Sequence, residues 1–166
     1  MTTIPKGVAR AVADLSRGVI LASVEIDAPP ERVFKALTSA EVAEWWGSPE
    51  AYRVNKWTAD LRPGGAWRSE GVGPDGKPFS VGGEILEVDP PRLLVQTWKP
   101  DWDSGPSTTV RYQVDAVPGG SRVTVRHEGF EGRAASCEGH AQGWERVLDW
   151  LKIYLRAGTH GPASAS

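Results

Sequence analysis

The chain has 3 histidines in 166 residues, and two of them, His127 and His140, sit where they could do chemistry. His127 falls near the end of the alternating stretch Arg122–Phe130, in phase with Val123 and Val125 and so on its apolar side. His140 opens the apolar stripe of a helical stretch, Cys137–Leu155, and only residues 131–136 separate the two elements. A neutral imidazole donates and accepts at once, so the pair could anchor a ligand or act as a general base. The same placement suits structural histidines bonded to backbone or carboxylate, and the sequence leaves both readings open. Cys137 and His140 share a helix face, but two residues are not a metal site. Beyond His127 or Glu128 no further ligand presents itself. No metal and no cofactor is expected, and Cys137 reads as a small buried thiol.

The other candidates are aromatic. The chain carries 8 Trp against 3 Tyr and 3 Phe, and Trp combines a large apolar face with one N–H. Trp57, Trp67, Trp98, Tyr112 and Trp144 are expected to face a common interior, with Leu148 on the same helix stripe as Trp144. Each alone could simply fill the core; as a set they suit the wall of a pocket for an apolar or flat ligand. Trp45-Trp46 is expected to pack short helices against the rim. The hairpin tip Trp98–Asp103 reads as a loop shielding its own Trp residues, and Asp60, Arg62 and Arg68 as an exposed ion-pair cluster. The glycine pairs at 64–65, 82–83 and 119–120 precede no helix, so phosphate cradles are not expected.

These residues need elements to position them. At 100° per residue, Trp144, Val147, Leu148, Leu151 and Leu155 fall within an arc of roughly 100°. Glu145, Arg146, Asp149, Lys152 and Arg156 collect on the opposite, wet side. Ser136 is the expected N-cap and Gly158 the expected stop, giving a rod of roughly 28 Å. Val19–Ile26 alternates as a strand with Ile20, Ala22, Val24 and Ile26 buried. Asp27-Ala-Pro-Pro then opens a short helix to Leu37, and Ser39 caps a second ending at Trp45-Trp46-Gly47. Six strands follow, over Tyr52–Leu61, Ala66–Gly71, Phe79–Val88, Leu93–Trp98, Thr108–Ala116 and Arg122–Phe130, joined by Gly- and Pro-rich turns. Strands grouped ahead of a long helix predict an α+β domain, a seven-stranded antiparallel sheet wrapped around that helix with a ligand-sized space between them. A weak amphipathic segment over Ala9–Leu15 belongs to an N-terminal extension, residues 1–18. The domain spans 19–157, and 158–166 reads as a disordered tail.

A net charge of -2 and 24% charged residues leave no electrostatic footprint for nucleic acid or anionic membrane. No apolar run is long enough for membrane insertion, and one cysteine suits a reducing, cytoplasmic setting.

The order of APPERVFKAL, WWG, DLRPGG, PDGKPF, ILEVDPPRLLVQTW, HEGF and HAQGWERVLDWL resembles the bacterial START-like domains of the SRPBCC superfamily, within it the group homologous to the activator of the Hsp90 ATPase. The resemblance covers residues 19–156 and implies a helix-grip (START/Bet v 1-like) fold with a hydrophobic cavity between sheet and C-terminal helix. It implies no reaction, because relatives include lipid carriers, receptors and aromatase/cyclases. The expected function is binding of a hydrophobic small molecule, lipid-like or aromatic. The alternatives are an acid–base enzyme, cyclase- or hydratase-like, using His127 or His140, and a co-chaperone-like interaction module. An Hsp90-type partner is not expected, since the chain has no room for a second domain; a homodimer would use a sheet edge or the Trp98–Trp102 hairpin.

Overall fold

The computed structural model describes residues 9–165, with side chains to residue 156. Residues 1–8 and the side chains of the expected tail, 158–166, lie outside that description. The elements run β1 (Arg10–Asp14), β2 (Val19–Ile26), α1 (Pro30–Leu37), α2 (Val42–Trp45), β3 (Arg53–Ala59), β4 (Ala66–Val72), β5 (Pro78–Asp89), β6 (Leu93–Pro100), β7 (Thr108–Val117), β8 (Gly120–Glu128) and α3 (Ala134–Ala165). All strands pair antiparallel in one open sheet of order β1-β2-β8-β7-β6-β5-β4-β3.

The sheet has eight strands, not seven. The weak amphipathic segment around Ala9–Leu15 contains a strand: Arg10–Asp14 pairs with Val19–Ser23 of β2 across a tight turn. A short Arg-Ala-Val-Ala-Asp run has no clear apolar alternation and a single β former, Val12, so its pairing depends on tertiary contacts. The contacts come from α3. The Ala11 N–H donates to Glu145 Oε2 at 2.9 Å and the Ala9 N–H to Asp149 Oδ1 at 3.4 Å. Two carboxylates one helical turn apart thus cover donors of an edge strand that would otherwise be open to another chain. This also corrects the reading of that helix side as merely wet: Lys152 there donates to the Glu25 carbonyl at 2.7 Å.

Helix α3 starts at Ala134, ahead of the expected Ser136 cap, and its backbone runs past Gly158. Its apolar stripe is where the 3.6-residue period puts it, with Cys137, Ala141, Trp144, Val147, Leu148, Leu151 and Leu155 buried against the sheet. The inward face of β2 (Ile20, Ala22, Val24, Ile26) and those of β7 and β8 (Val110, Val114, Val123, Val125) complete the core. The proline pair works as the sequence implies: Pro29 is the N-cap, Pro30 the first helical residue, and Val33, Phe34 and Leu37 are buried. Trp45 donates its indole N–H to the Ala36 carbonyl at 2.9 Å and so clamps α2 to α1.

Candidate functional site

Beyond the Val-rich half of the core, the sheet and α3 diverge and leave a recess of about 600 Å³. Its floor is strands β3 to β7, its roof the first turns of α3, and its mouth the hairpin Gly73–Pro78 with Trp102. Trp57, Trp67, Trp98, Tyr112, His140 and Trp144 all line it, whereas His127 and Leu148 do not. Both of those are fully buried; Leu148 points into the core between helix and sheet, and His127 stands behind the wall.

The wall is a connected set of indoles. Trp98 is at its centre, with ring centroids 5.4 Å from Trp67, 5.7 Å from Trp144 and 6.2 Å from Trp46. Trp46 in turn meets Trp144 edge-on at 5.8 Å, and Tyr112 meets Trp144 the same way at 5.8 Å. Such stacked, tilted and edge-to-face contacts suit the ring quadrupole and hold each face in a fixed orientation. Trp46, Tyr52, Phe79 and Gln96 are lining residues that the sequence reading did not assign. For Gln96 a signal was present: it is the lone amide in phase between Leu94 and Trp98 on β6, and all three are buried.

The two histidines come together, their rings 5.2 Å apart and perpendicular, but their hydrogen bonds give them different roles. Trp144 Nε1–H donates to His127 Nδ1 at 3.0 Å. An indole nitrogen can only donate, so His127 Nδ1 carries no proton and the neutral ring carries it on Nε2. That Nε2–H reaches Thr108 Oγ1 at 2.7 Å, whose hydroxyl donates to the Trp98 carbonyl at 3.3 Å. Both nitrogens of His127 are thus taken, and burial, helped by nearby His140 and Arg133, holds its pKa well below the usual imidazole range. It is a structural histidine that positions Trp144. At His140, Nδ1 lies 2.9 Å from the Ser136 carbonyl, which only accepts, so this nitrogen carries the proton. Its Nε2 is left as the basic atom on the wall of the recess, and burial again lowers the pKa.

Two further polar atoms distinguish the wall. Gln96 Oε1 and Trp98 Nε1 are buried and have no hydrogen-bond partner among the described residues. The Tyr112 phenol, its pKa raised by burial, stays neutral.

Around the mouth, Arg133 ties the loop after β6 to the start of α3, through Asp103 Oδ2 at 3.0 Å and the Pro106 carbonyl at 3.3 Å. Trp102, 63% exposed, stands edge-on to Phe79 at 5.9 Å, so this tip borders the recess rather than burying its own ring. Arg146 lies over the rings of Tyr52 and Trp150 at 5.5 and 5.2 Å. Away from the recess, Asp60 pairs with Arg62 at 2.6 Å on the surface, while Arg68 pairs with Glu70 instead. Cys137 is buried, burial pushes its thiol up, and among the described residues no three metal-ligating side chains gather.

An antiparallel sheet closed by a long helix is also the fold to which comparison with known proteins leads. The family model described as Activator of Hsp90 ATPase homolog 1-like protein matches residues 27–156. The chain belongs to that family. Solved structures similar to this Hsp90-ATPase-activator-like domain include a protein from Rhodobacter sphaeroides, 22% identical, with a TM-score of 0.76 over 90% of this chain and 98% of that one. A Nitrosomonas europaea protein is 23% identical, with a TM-score of 0.75 over 87% and 98% of the two chains. A Silicibacter pomeroyi protein described as AHSA1 is 27% identical, with a TM-score of 0.71 over 84% and 99%. Comparison with curated proteins gives no match. The fold is the helix-grip fold of bacterial SRPBCC/START-like domains, with one strand more than the sequence pattern implied. No helix among the described residues is long and apolar enough to cross a membrane.

Proposed function

We propose that this domain binds an apolar small molecule, lipid-like or aromatic, in the recess between the sheet and α3. The observation that carries the reading is the indole wall: Trp46, Trp67, Trp98 and Trp144 present apolar faces to a space of about 600 Å³, inside the range usual for ligand sites of roughly 300–1,000 Å³. A core that only needed filling would close such a space, because interiors pack to crystal-like density. Each side-chain-sized apolar group of a ligand buried there contributes about 1.5–3 kcal/mol. Micromolar affinity, about -8 kcal/mol, is therefore within reach without an ionic anchor. The rim charges Lys77, Asp75 and Arg146 lie at the mouth, outside that apolar wall. The test is native mass spectrometry of the protein from its own host. A released, stoichiometric apolar compound is the expected result; an unliganded protein that also fails to take up apolar aromatic probes refutes the reading.

A second reading, acid–base catalysis in the same recess, is favoured by one observation. The Ser136 carbonyl fixes the tautomer of His140 and leaves Nε2 proton-free on the wall. Under it, His140→Ala abolishes turnover of a bound substrate while ligand affinity is kept; loss of both together returns His140 to a binding role. An Hsp90-type partner is not part of either reading, and a pull-down with the full chain is expected to show no enrichment.

A further inference from the structure

Strand β6 brings two side chains to the recess whose polar ends nothing in the protein satisfies. Gln96 is 2% exposed and Trp98 9% exposed, and both line the recess. Gln96 Oε1 is an acceptor without a donor, and Trp98 Nε1–H a donor without an acceptor. Buried polar atoms are nearly always paired, because an unpaired one forfeits its hydration with nothing in return. The neighbouring Trp residues follow that rule. Trp45, Trp46, Trp67 and Trp144 each donate to a named protein acceptor: the Ala36 carbonyl, Tyr52 Oη, the Thr97 carbonyl and His127 Nδ1. Within the connected set of Trp46, Trp67, Trp98 and Trp144, Trp98, the ring at its centre, is the one whose buried N–H has no such acceptor.

The two atoms are related by the strand. Residues two apart on a β-strand point to the same face and are separated by about 7 Å. β6 runs Leu94, Gln96, Trp98 along its inward face, with the indole of Trp98 amid the aromatic set and Gln96 two residues before it on the same face. The terminal torsion of a Gln side chain is soft, so the amide can turn toward a partner with little resistance. The indole, held by Trp46, Trp67 and Trp144, cannot.

We infer that Gln96 and Trp98 determine ligand specificity: they select a neutral, planar aromatic molecule carrying an acceptor at one end, for Trp98 Nε1–H, and a donor at the other, for the Gln96 carbonyl. A ring bearing a hydroxyl opposite a carbonyl has that pattern. A purely hydrocarbon chain fills the space and leaves both atoms unpaired. The inference rests on the small-molecule reading of the recess and narrows it to a chemical class.

Four probes of one shape separate the contributions: para-hydroxyacetophenone (both groups), acetophenone (carbonyl only), para-ethylphenol (hydroxyl only, the group that can donate to Gln96) and ethylbenzene (neither). Each is titrated into the full chain, followed by tryptophan emission and by calorimetry. The expected result is an affinity gain of about tenfold for each polar group over ethylbenzene, with both gains present in para-hydroxyacetophenone. Trp98→Phe, which keeps a ring in the wall, is expected to erase the carbonyl gain alone. Gln96→Leu is expected to erase the hydroxyl gain alone. If all four probes bind within about twofold of one another, the selectivity inference is overturned and the binding reading stands. If none of the four perturbs the protein, the binding reading fails and takes this inference with it. Comparing probes on the unmodified chain makes the test independent of how well either variant folds.

Discussion

Replacing Gly139 and Gly143 by alanine should make this protein more stable and a poorer binder. Both lie inside α3, four residues apart on the face that lines the recess, between Ser136 and Val147. Glycine inside a helix is about 0.8–1 kcal/mol less favourable than alanine, because it loses more backbone freedom on folding. Glycine is usually justified there by close packing, yet a Cβ at either position meets nothing within 4 Å. The full propensity gain is therefore available, about 2 kcal/mol for the pair, and at this chain length each kcal/mol raises Tm by about 2–4 °C. The double variant should melt about 4–8 °C higher by calorimetry. Its two methyl groups stand in the recess, so aromatic probes should bind several-fold more weakly. A melting temperature that does not rise would mean the glycines meet a packing or conformational need. A rise without loss of probe affinity would mean that this helix face does not contact the ligand.

Three more outcomes follow from particular contacts. His127 is neutral when folded, while a free imidazole titrates near 6.5, so below about pH 6.5 the unfolded chain binds the extra proton. Stability should be complete above that pH and fall as pH drops, by up to about 1.4 kcal/mol per pH unit for this histidine. His127→Leu should reduce the slope of the urea midpoint against pH, leaving the share that buried His140 contributes, and lower the midpoint at about pH 7, since Trp144 Nε1–H and Thr108 lose their partner. Gln96→Leu removes an unpartnered buried carbonyl and should raise stability by about 1–3 kcal/mol; a loss would show that the amide is satisfied in solution. Glu145→Ala strips the Ala11 N–H of its carboxylate and should cost about 1–2 kcal/mol, with faster amide exchange confined to β1; unchanged exchange there would refute the role given to that carboxylate.

What the sequence disclosed and what it withheld divide along physical lines. The α3 stripe and the inward faces of β2, β7 and β8 were legible because each alternates or repeats with apolar residues, and the pattern alone fixes which side is buried. β1 was not legible, because its place depends on Glu145 and Asp149, more than a hundred residues away. His127 and His140 could be brought together on paper from facing and loop length. Their division of labour could not, since it depends on Trp144 Nε1 pointing at one imidazole and the Ser136 carbonyl meeting the other.

Trp144 shows how the fold separates structure from function within one wall. Its indole N–H is committed backward, to His127, and through Thr108 the chain of bonds ends on the Trp98 carbonyl. That chain fixes the planes of Trp144 and the backbone under Trp98 without using any polar atom at the recess. Thr97, on the opposite face of β6, takes the Trp67 N–H with its carbonyl and the Glu84 N–H with its hydroxyl. The Trp67 and Glu84 N–H groups are thereby engaged by Thr97, and on the inward side of β6 Gln96 Oε1 and Trp98 Nε1 remain over. The Trp98 indole is held in place by its aromatic neighbours, and a donor fixed in position discriminates among ligands of equal size while the softer Gln96 amide turns to meet the other end.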